Sequence, residues 1–311
     1  MPDFYIIGAP KCGTSSLFQY LGDHPSIYMP SNKEPHFYAT DMYTRDTGLT
    51  RRVADRAVYE QLFAPAAPDQ ITGEGSTWYL FSEDAVPAIL RDKPDARFII
   101  MLRNPIDMAL SLHNHHVRKL YDDVDDFSAA WSLNAARARG ENLPQYCPEP
   151  KMLDYRAACR FAPMLERLFG LVPRERVHVI IFEEFVGDLR SSYLETLSFL
   201  GVADDGRTTF ERVNPNRRLR SKRLYELLTY KPFPINVVYP TLKWVANVVG
   251  FRPGRAVFER NVTVEARSDL DPDMMRRLET SFVPDIPEIE AVLGRNLDIW
   301  RTRIAMLQKE A

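Results

Sequence analysis

The stretch Phe4–Ser16, with the sequence FYIIGAPKCGTSS, constrains the fold of this chain more than any other. Phe4 to Ile7 is a short apolar run, typical of a strand that is buried on both faces of a parallel sheet. Gly8 and Gly13 bracket a tight loop, and Thr14 to Leu21 has the pattern of a helix that begins directly after it. The N–H groups of such a loop and of the helix N-terminus attract anions. The sequence therefore predicts a phosphate-binding loop.

This loop departs at one position from the nucleoside triphosphate pattern G-x-x-x-x-G-K-[ST]. Thr14 stands where the lysine should follow the second glycine, and the loop's only lysine is Lys11. Lys11 can still reach a terminal anionic group, but the usual nucleoside triphosphate geometry is not reproduced. A P-loop kinase or another ATP- or GTP-dependent enzyme is the alternative. It would also need an aspartate at a strand end to hold magnesium, and the clearest strand here ends in Arg103.

The octet G-A-P-K-C-G-T-S resembles the 5′-phosphosulfate loop of sulfotransferases that use 3′-phosphoadenosine 5′-phosphosulfate (PAPS). The pattern of that loop is roughly P-K-[SAT]-G-T-[TS]-[SAW]-L. The resemblance implies a P-loop-like α/β fold, a three-layer sandwich with a central parallel sheet flanked by helices. It also implies transfer of a sulfonate group from PAPS to an acceptor hydroxyl or amine, with PAP as product and no metal required. The loop residues that would bind the donor are Lys11, Cys12, Gly13, Thr14, Ser15 and Ser16.

Length, charge and cysteine usage limit the classes of protein to which this chain can belong. A chain of 311 residues can bury a full core, and a net charge of −2 gives no field that would draw it to nucleic acid or membrane. Any positively charged binding site must therefore be confined to one part of the protein. Cys12, Cys147 and Cys159 form no C-x-x-C pair, and the first strand leaves no room for a signal peptide. We therefore expect a cytoplasmic protein without a structural metal and without a nucleic-acid partner. The apolar stretch 234–251 is too short to span a bilayer.

Alternating strand and helix patterns predict a parallel sheet covered on both faces. Further strands are predicted at 26–29, 70–78, 97–102 and 176–182. Helices are predicted at 82–92, 105–120, 126–139, 152–169 and 189–200, with two more in 271–300. We interpret residues 1–311 as a single domain, in which 204–270 is a variable extension that covers cofactor and substrate.

Ligands of parallel sheets bind at the carboxyl ends of the strands, which directs attention to Arg103. Pro105 suits the first position of the helix that follows, and Ser111 lies two turns further along it. A guanidinium fork and a hydroxyl suit a dianionic phosphate monoester. Strand, R-x-P, helix and serine resemble the 3′-phosphate site of the PAPS enzymes, which implies that role for Arg103 and Ser111. A capping or salt-bridging arginine is the alternative.

Residues 31–38, S-N-K-E-P-H-F-Y, resemble the E-x-H-F-[FY] segment of heparan sulfate sulfotransferases and their bacterial relatives. The resemblance implies that Glu34 is the general base and that His36 lies beside it. A solvated turn with inward-packed aromatics is the alternative. Cytosolic small-molecule sulfotransferases use a K-T-H histidine instead, and the corresponding segment here, G-E-G-S-T-W, has none. Gly75 replaces the lysine of the heparan-type E-K-[ST]-P pattern, so that cation is missing or comes from elsewhere, with Lys33 the nearest candidate.

Three histidines on the helix after Arg103 raise the question of a metal site. His113 and His116 share a helix face and His115 points away, so joint ligation is disfavoured. Ser111 followed by His115 resembles the S-[WF]-Y-x-H run of N-sulfotransferases, which implies that His115 faces the acceptor.

Three later segments extend the resemblance over most of 4–203 and 283–300. Residues 182–202 resemble the bacterial Y-E-D-L-x-x-D-P…F-L-G-[VL] stretch, with Phe182 able to stack on adenine but lacking the usual hydroxyl. V-N-P-N-R-R-L-R-S stands where the family has a loop over the cofactor, which implies contacts from Arg217, Arg218 and Arg220; a solvated charge run is the alternative. E-x-x-L-G-R-N-L-D-I-W resembles the family's C-terminal helix.

The acceptor could be a small molecule, a lipid-like molecule or a saccharide. An apolar wall at 234–251 would suit a lipid-like acceptor.

Overall fold

The structure is a computed structural model that describes residues 1–47, 52–211, 217–230, 261–264 and 270–310. Its centre is a five-stranded parallel sheet with the strand order β2-β3-β1-β4-β5. The strands are β1 (Phe4–Gly8), β2 (Ile27–Tyr28), β3 (Ile71–Gly75), β4 (Arg97–Leu102) and β5 (Val177–Ile181). The predicted parallel sheet is confirmed, and β4 has the predicted bounds.

Helices flank this sheet, as the three-layer prediction requires. They are α1 (Thr14–Gly22), α2 (Arg56–Gln61), α3 (Ala85–Asp92), α4 (Pro105–Lys119), α5 (Phe127–Ser132), α6 (Asn134–Ala138), α7 (Tyr155–Cys159), α8 (Phe161–Leu171), α9 (Phe182–Gly187), α10 (Leu189–Leu200), α11 (Lys222–Thr229), α12 (Pro272–Phe282), α13 (Ile286–Leu293) and α14 (Asp298–Glu310). A short antiparallel pair, β6 (Arg217–Leu219) and β7 (Val262–Val264), belongs to the segment after α10. None of the helices in the described ranges is long and apolar enough to cross a bilayer.

The middle strand β1 fixes where a ligand can bind. Every residue of β1 is buried, with β3 on one side and β4 on the other. Gly73 of β3 makes room for the ring of Phe4, which a Cβ at that position would overlap. The chain runs from β1 to β2 and β3 on one side, and then to β4 and β5 on the other. Such a reversal of strand order opens a crevice at the carboxyl ends of the strands.

Several predicted helices differ from the observed ones at their boundaries. The prediction of one helix over 152–169 is wrong, because the chain forms a 3₁₀ turn (Pro150–Leu153), α7 and α8 instead. Pro163 explains the break, since a proline inside a longer helix would lack an N–H and clash with the preceding turn. The helix predicted at 82–92 begins at Ala85, although the Ser82 hydroxyl still accepts the N–H of Ala85.

One further helix prediction miscounted the elements, because the segment 126–139 is divided into α5 and α6. The two helices predicted in 271–300 correspond to α12 and α13, and α14 begins at Asp298. Residues 283–285, which include Pro284, form a single 3₁₀ turn between α12 and α13.

A buried ion pair fixes the chain just after α4. Arg137 donates two hydrogen bonds of 2.7 Å to the carboxylate of Asp122, and both side chains are fully buried. The hydroxyl of Tyr155 donates to the same carboxylate at 2.6 Å. This pair ties α6 and α7 to the loop that leaves α4, and α4 lines the candidate site described below.

We expect Asp122→Ala to lower the free energy of unfolding by about 3–5 kcal/mol, because it leaves Arg137 buried, and its remaining ion-pair partner among the described residues is the more distant, exposed Asp123. Urea unfolding measures this loss. Glu141→Ala is the control, because it breaks the exposed Arg139–Glu141 pair and should cost about 0.5 kcal/mol or less. Equal losses for the two variants would contradict the structural role of the buried pair.

Candidate functional site

A cleft of about 1190 Å³ lies at the carboxyl ends of the central strands. The loop after β1, the 33–36 turn, the loop after β3 and one face of α4 form its walls. Most of the predicted site residues line it, namely Lys11, Gly13, Thr14, Ser15, Ser16, Glu34, His36, Arg103, Ser111, His115 and Phe182. The fold therefore brings together side chains that are separated by up to 171 positions in the sequence, from Lys11 to Phe182.

The loop before α1 leaves the start of this helix open to the cleft. Gly13 has φ 90°, and a Cβ there would lie 2.9 Å from the ring of Phe182, so glycine is required on both grounds. No side chain in the described part of the chain caps α1, and the first N–H groups of a helix have no partner within it. Cys12 contributes only backbone to the loop, because its thiol is buried between the carbonyl oxygen of Pro10 and the sulfur of Met108. This geometry suits a phosphate or sulfate group.

Positive charge is concentrated in the cleft although the chain is nearly neutral. The side chains that line it include five cations and two carboxylates: Lys11, Lys33, Arg103, Arg118 and Lys119, against Glu34 and Asp107. Burial lowers the pKa of Lys11 to about 8, with Arg118 and Arg103 contributing in the same direction. Cations placed close enough to depress one another's pKa are stabilised by a polyanionic ligand.

Arg103 braces the loop from the end of β4. Its guanidinium donates a hydrogen bond of 3.2 Å to the carbonyl oxygen of Lys11 and lies 4.6 Å from the ring centroid of Phe182. The Nε atom is buried and has no hydrogen-bond partner among the described residues. Asn104 then caps α4, and Pro105 occupies its first position as predicted. Ser111 and His115 follow on the face of α4 that lines the cleft.

The turn after β2 presents Glu34 to the loop. Glu34 accepts a 2.8 Å hydrogen bond from Lys33, and Lys33 also donates to the hydroxyl of Ser15 at 3.0 Å. Nε2 of His36 lies 3.6 Å from the second carboxylate oxygen of Glu34, and the hydroxyl of Thr77 lies 3.4 Å from the first. Burial would raise the pKa of Glu34, but Lys33 and His36 outweigh it and hold this pKa well below its usual range. Glu34 is therefore an ionised carboxylate at neutral pH.

At Gly75, where the resemblance implies a lysine, another side chain fills the available space. A Cβ on Gly75 would lie 2.7 Å from the ring of Phe18, so this ring fills the space beside Gly75. The ammonium group of Lys33 lies 6.0 Å from the centroid of the same ring. Lys33 thus lies between the loop after β1 and Glu34.

The three histidines differ in burial and in their access to the cleft. His113 and His116 are buried; His113 contacts the carbonyl oxygen of Val124 at 2.8 Å, and burial lowers the pKa of His116 to about 3. His115 and His116 both line the cleft, and Nδ1 of His115 lies 3.1 Å from Arg118. Burial, Lys11 and Arg118 hold the pKa of His115 well below its usual value, so the imidazole is neutral. Within the described ranges, no group of three or more His, Cys, Asp or Glu side chains is arranged to hold a metal ion.

A protein-family model described as "Sulfotransferase family" matches residues 2–206, about two thirds of the chain. This chain belongs to the sulfotransferase family.

Individual relatives support this membership to different extents. Human carbohydrate sulfotransferase 15 is 32% identical over a match that covers 36% of this chain and 26% of that protein. Mouse heparan sulfate glucosamine 3-O-sulfotransferase 6 is 32% identical, with 35% of this chain and 29% of that protein covered. These matches thus span less than a third of each curated relative. The crystal structure of a sulfotransferase from Alicyclobacillus acidocaldarius is similar over 97% of this chain and 99% of that chain, with a TM-score of 0.70 and 29% identity.

Several cleft residues of this sulfotransferase-family chain were not found from the sequence. Arg118 lies three residues after His115 and seven after Ser111, so the helix spacing alone could have placed it on the cleft face of α4. For Tyr43, no spacing in the sequence indicated a place in the cleft. Its hydroxyl lies 2.8 Å from Nε2 of His36 because the turn folds back on itself, which a linear pattern does not reveal.

Of the predicted arginines of the later basic run, Arg220 has a described side chain, and that side chain does not line the cleft. Arg217 and Arg218 belong to β6, which lies beside α4, but their side chains are outside the described set. Arg220 is exposed, and its N–H donates to the carbonyl oxygen of Asn261. Residues 212–216 and the proposed apolar wall at 234–251 lie outside the described residues. Contacts from this region to a cofactor or acceptor stay a prediction.

We expect Lys11 in the unliganded protein to titrate with a pKa near 8, because burial and the neighbouring guanidinium groups disfavour its charged form. An NMR titration of its ε-methylene group measures this value. Arg118→Gln should raise the pKa, because it removes a nearby positive charge. Arg56→Gln, which changes an exposed arginine that pairs with Glu60 and Asp92 and does not line the cleft, should leave it unchanged. A Lys11 pKa at its ordinary value of 10.5 would contradict the cation cluster.

Proposed function

We propose that this chain transfers a sulfonate group from PAPS to a hydroxyl or amine of an acceptor. The observation that carries the proposal is the position of Lys33, which donates to Ser15 of the donor loop and to Glu34 at the same time. A group held by the loop and an acceptor deprotonated by Glu34 would then meet within one cleft. Family membership favours this activity over the alternative of a P-loop kinase.

The residues at the end of β1 fit the 5′ side of such a donor. The open N-terminus of α1 and the hydroxyls of Thr14 and Ser15 would hold the 5′-phosphate. Arg103 and Ser111 both line the cleft and would hold the 3′-phosphate. Phe182 would stack on adenine.

The chemistry is an in-line displacement in which position and charge do most of the catalysis. When bound, PAPS supplies a sulfonate on an activated anhydride, and PAP is the leaving group. Lys11 would stabilise the negative charge that develops on the leaving oxygen, and Lys33 would stabilise charge beside Ser15. A sulfonate carries less negative charge than a terminal phosphate, so these ammonium groups are sufficient in our proposal. Glu34, held ionised by Lys33 and His36, would take the acceptor's proton as it attacks.

We propose a saccharide as the acceptor, in preference to the lipid-like molecule that the 234–251 segment suggested. The names of two relatives specify carbohydrate and heparan sulfate glucosamine as their substrates. The α4 side of the cleft is compatible with a sugar, because the exposed side chain of Asn114 offers an amide there. An amide can donate to and accept from the hydroxyl groups of a saccharide.

The direct test is transfer of radiolabelled sulfur from PAPS to pools of saccharides, phenols and hydroxylated lipids. We expect label in a saccharide fraction, and no loss of transfer when divalent metal ions are chelated. Transfer of phosphate from ATP in place of sulfur from PAPS would overturn the proposed function. Label that enters only the lipid fraction would overturn the proposed acceptor.

We expect Arg103→Ala to weaken PAP binding by about 2 kcal/mol or more, because a charged hydrogen bond to the 3′-phosphate is lost. Binding of AMP, which lacks that phosphate, should change little. Calorimetry with both nucleotides measures the difference. Arg97→Ala, at the opposite end of β4, is the control and should affect neither. Equal losses of affinity for PAP and AMP would show that Arg103 does not bind the 3′-phosphate.

We expect Glu34→Gln to lower turnover by about a hundredfold to ten-thousandfold, the usual contribution of a general base. The amide keeps the shape of the side chain and removes its basicity, so the affinity for PAP should stay within a few-fold. His115→Ala should cost less, since we assign His115 only to orienting the acceptor or assisting the base. Steady-state kinetics of both variants measure this. If His115→Ala abolished turnover while Glu34→Gln did not, the base would be a histidine.

A further inference from the structure

The turn that carries Glu34 has an unfavourable backbone conformation. Glu34 has φ 63° and His36 has φ 51°, in the left-handed region that residues other than glycine rarely adopt. Such conformations persist only where surrounding contacts determine them strongly. The contacts that fix this turn therefore matter for where the carboxylate of Glu34 points.

Three N–H groups of the turn bind to the end of β3 and the loop after it. The N–H of Glu34 donates to the carbonyl oxygen of Gly75 at 3.0 Å, and the N–H of His36 donates to the hydroxyl of Ser76 at 3.0 Å. The third, the N–H of Tyr38, donates to the hydroxyl of Tyr79 at 3.2 Å. The first acceptor is backbone, but the other two are hydroxyl groups that must be oriented by something else.

Glu74 orients the hydroxyl of Tyr79. This glutamate is fully buried, does not line the cleft, and has no part in the mechanism above. It accepts hydrogen bonds from Tyr79 at 3.1 Å and from Tyr59 at 2.6 Å. A hydroxyl has one proton and two lone pairs. Because Tyr79 gives its proton to Glu74, its lone pairs are the part that faces the N–H of Tyr38.

The two tyrosines that bind Glu74 reach the turn in different ways. Tyr79 reaches it through its hydroxyl, as just described. Tyr59 reaches it through its ring, which stacks on Phe37 with a centroid distance of 4.2 Å and an interplanar angle of 10°. Removing the hydroxyl of Tyr59 would leave that stacking in place, whereas removing the hydroxyl of Tyr79 would leave the N–H of Tyr38 without its acceptor.

We propose that Glu74 is a positioning residue for the base: it holds the Tyr79 hydroxyl, which holds the backbone of the turn that presents Glu34 and His36 to the cleft. The inference rests on the proposed function, since it assumes that Glu34 is the base. A carboxyl group is costly to bury, and an apolar side chain would fill this sheet position without that cost. Burial raises the pKa of Glu74 to about 7 although Tyr59 and Tyr79 donate hydrogen bonds to it, which reflects the cost of ionising it there.

The test compares Tyr79→Phe with Tyr59→Phe, since each removes one hydroxyl from the same carboxyl group. We expect Tyr79→Phe to lower kcat by about tenfold to a hundredfold, the effect of a small displacement of a catalytic group. PAP affinity should be retained, and the amide of Tyr38 should exchange faster with solvent. Tyr59→Phe should keep kcat and the Tyr38 exchange rate close to those of the unmodified chain. Equal kcat losses in the two variants, or a Tyr79→Phe loss that appears in PAP affinity instead of kcat, would overturn the proposal.

Substitution of Glu74 itself provides the second comparison. Glu74→Gln keeps an oxygen that both hydroxyls can donate to, so it should retain most of the turnover, whereas Glu74→Leu should resemble Tyr79→Phe. A Glu74→Leu variant with normal turnover would overturn the proposal; if that variant does not fold, the two tyrosine variants decide the question. The exchange rate of the Tyr38 amide reports the Glu74–Tyr79 link without any substrate. If the chain transferred no sulfonate, the proposed function would be refuted. The exchange rate of the Tyr38 amide would still test the link between Glu74 and Tyr79.

Discussion

The absence of a side chain at Gly13 is the constraint on which the cleft depends. It allows the ring of Phe182, at the end of β5, to contact the loop that follows β1. The guanidinium of Arg103, at the end of β4, then lies over the same ring and binds the loop carbonyl of Lys11. Three parallel strands are thus joined at their carboxyl ends by one aromatic ring and one cation. Any side chain at position 13 would separate the loop from Phe182 and so disturb all three.

Electrostatics distinguishes this cleft from the rest of the molecule. The chain as a whole has a net charge of −2, yet five cationic side chains line one cavity. Burial, together with repulsion from neighbouring cations, lowers the pKa of Lys11 and keeps His115 neutral. The protein balances this repulsion in part with Glu34, which remains ionised because it lies beside Lys33. An arrangement of this kind favours anionic ligands and also maintains one carboxylate that can accept a proton.

The sequence predicted those parts of the fold and site that depend on local patterns. The β1 strand, the glycine loop, β4 and the proline at the start of α4 all follow from neighbouring residues, and the structure has them where expected. Contacts that depend on how distant segments fold together were not predictable in this way. Tyr43 meets His36 only because of left-handed turns, and the thiol of Cys12 points into the core because Met108 packs beside it. The prediction of one helix over 152–169 was wrong because it followed the amphipathic pattern and disregarded Pro163, which does not fit inside a longer helix.

The double contact of Lys33 has a consequence for how the two halves of the cleft influence each other. An anion bound at Ser15 competes with Glu34 for the same ammonium group. As Lys33 turns toward that anion, Glu34 loses part of the stabilisation of its negative charge, and its affinity for a proton increases. By thermodynamic reciprocity, protonation of Glu34 releases Lys33 and strengthens the binding of the anion. The proton affinity of Glu34 is therefore linked to anion binding at the loop after β1 through a single side chain.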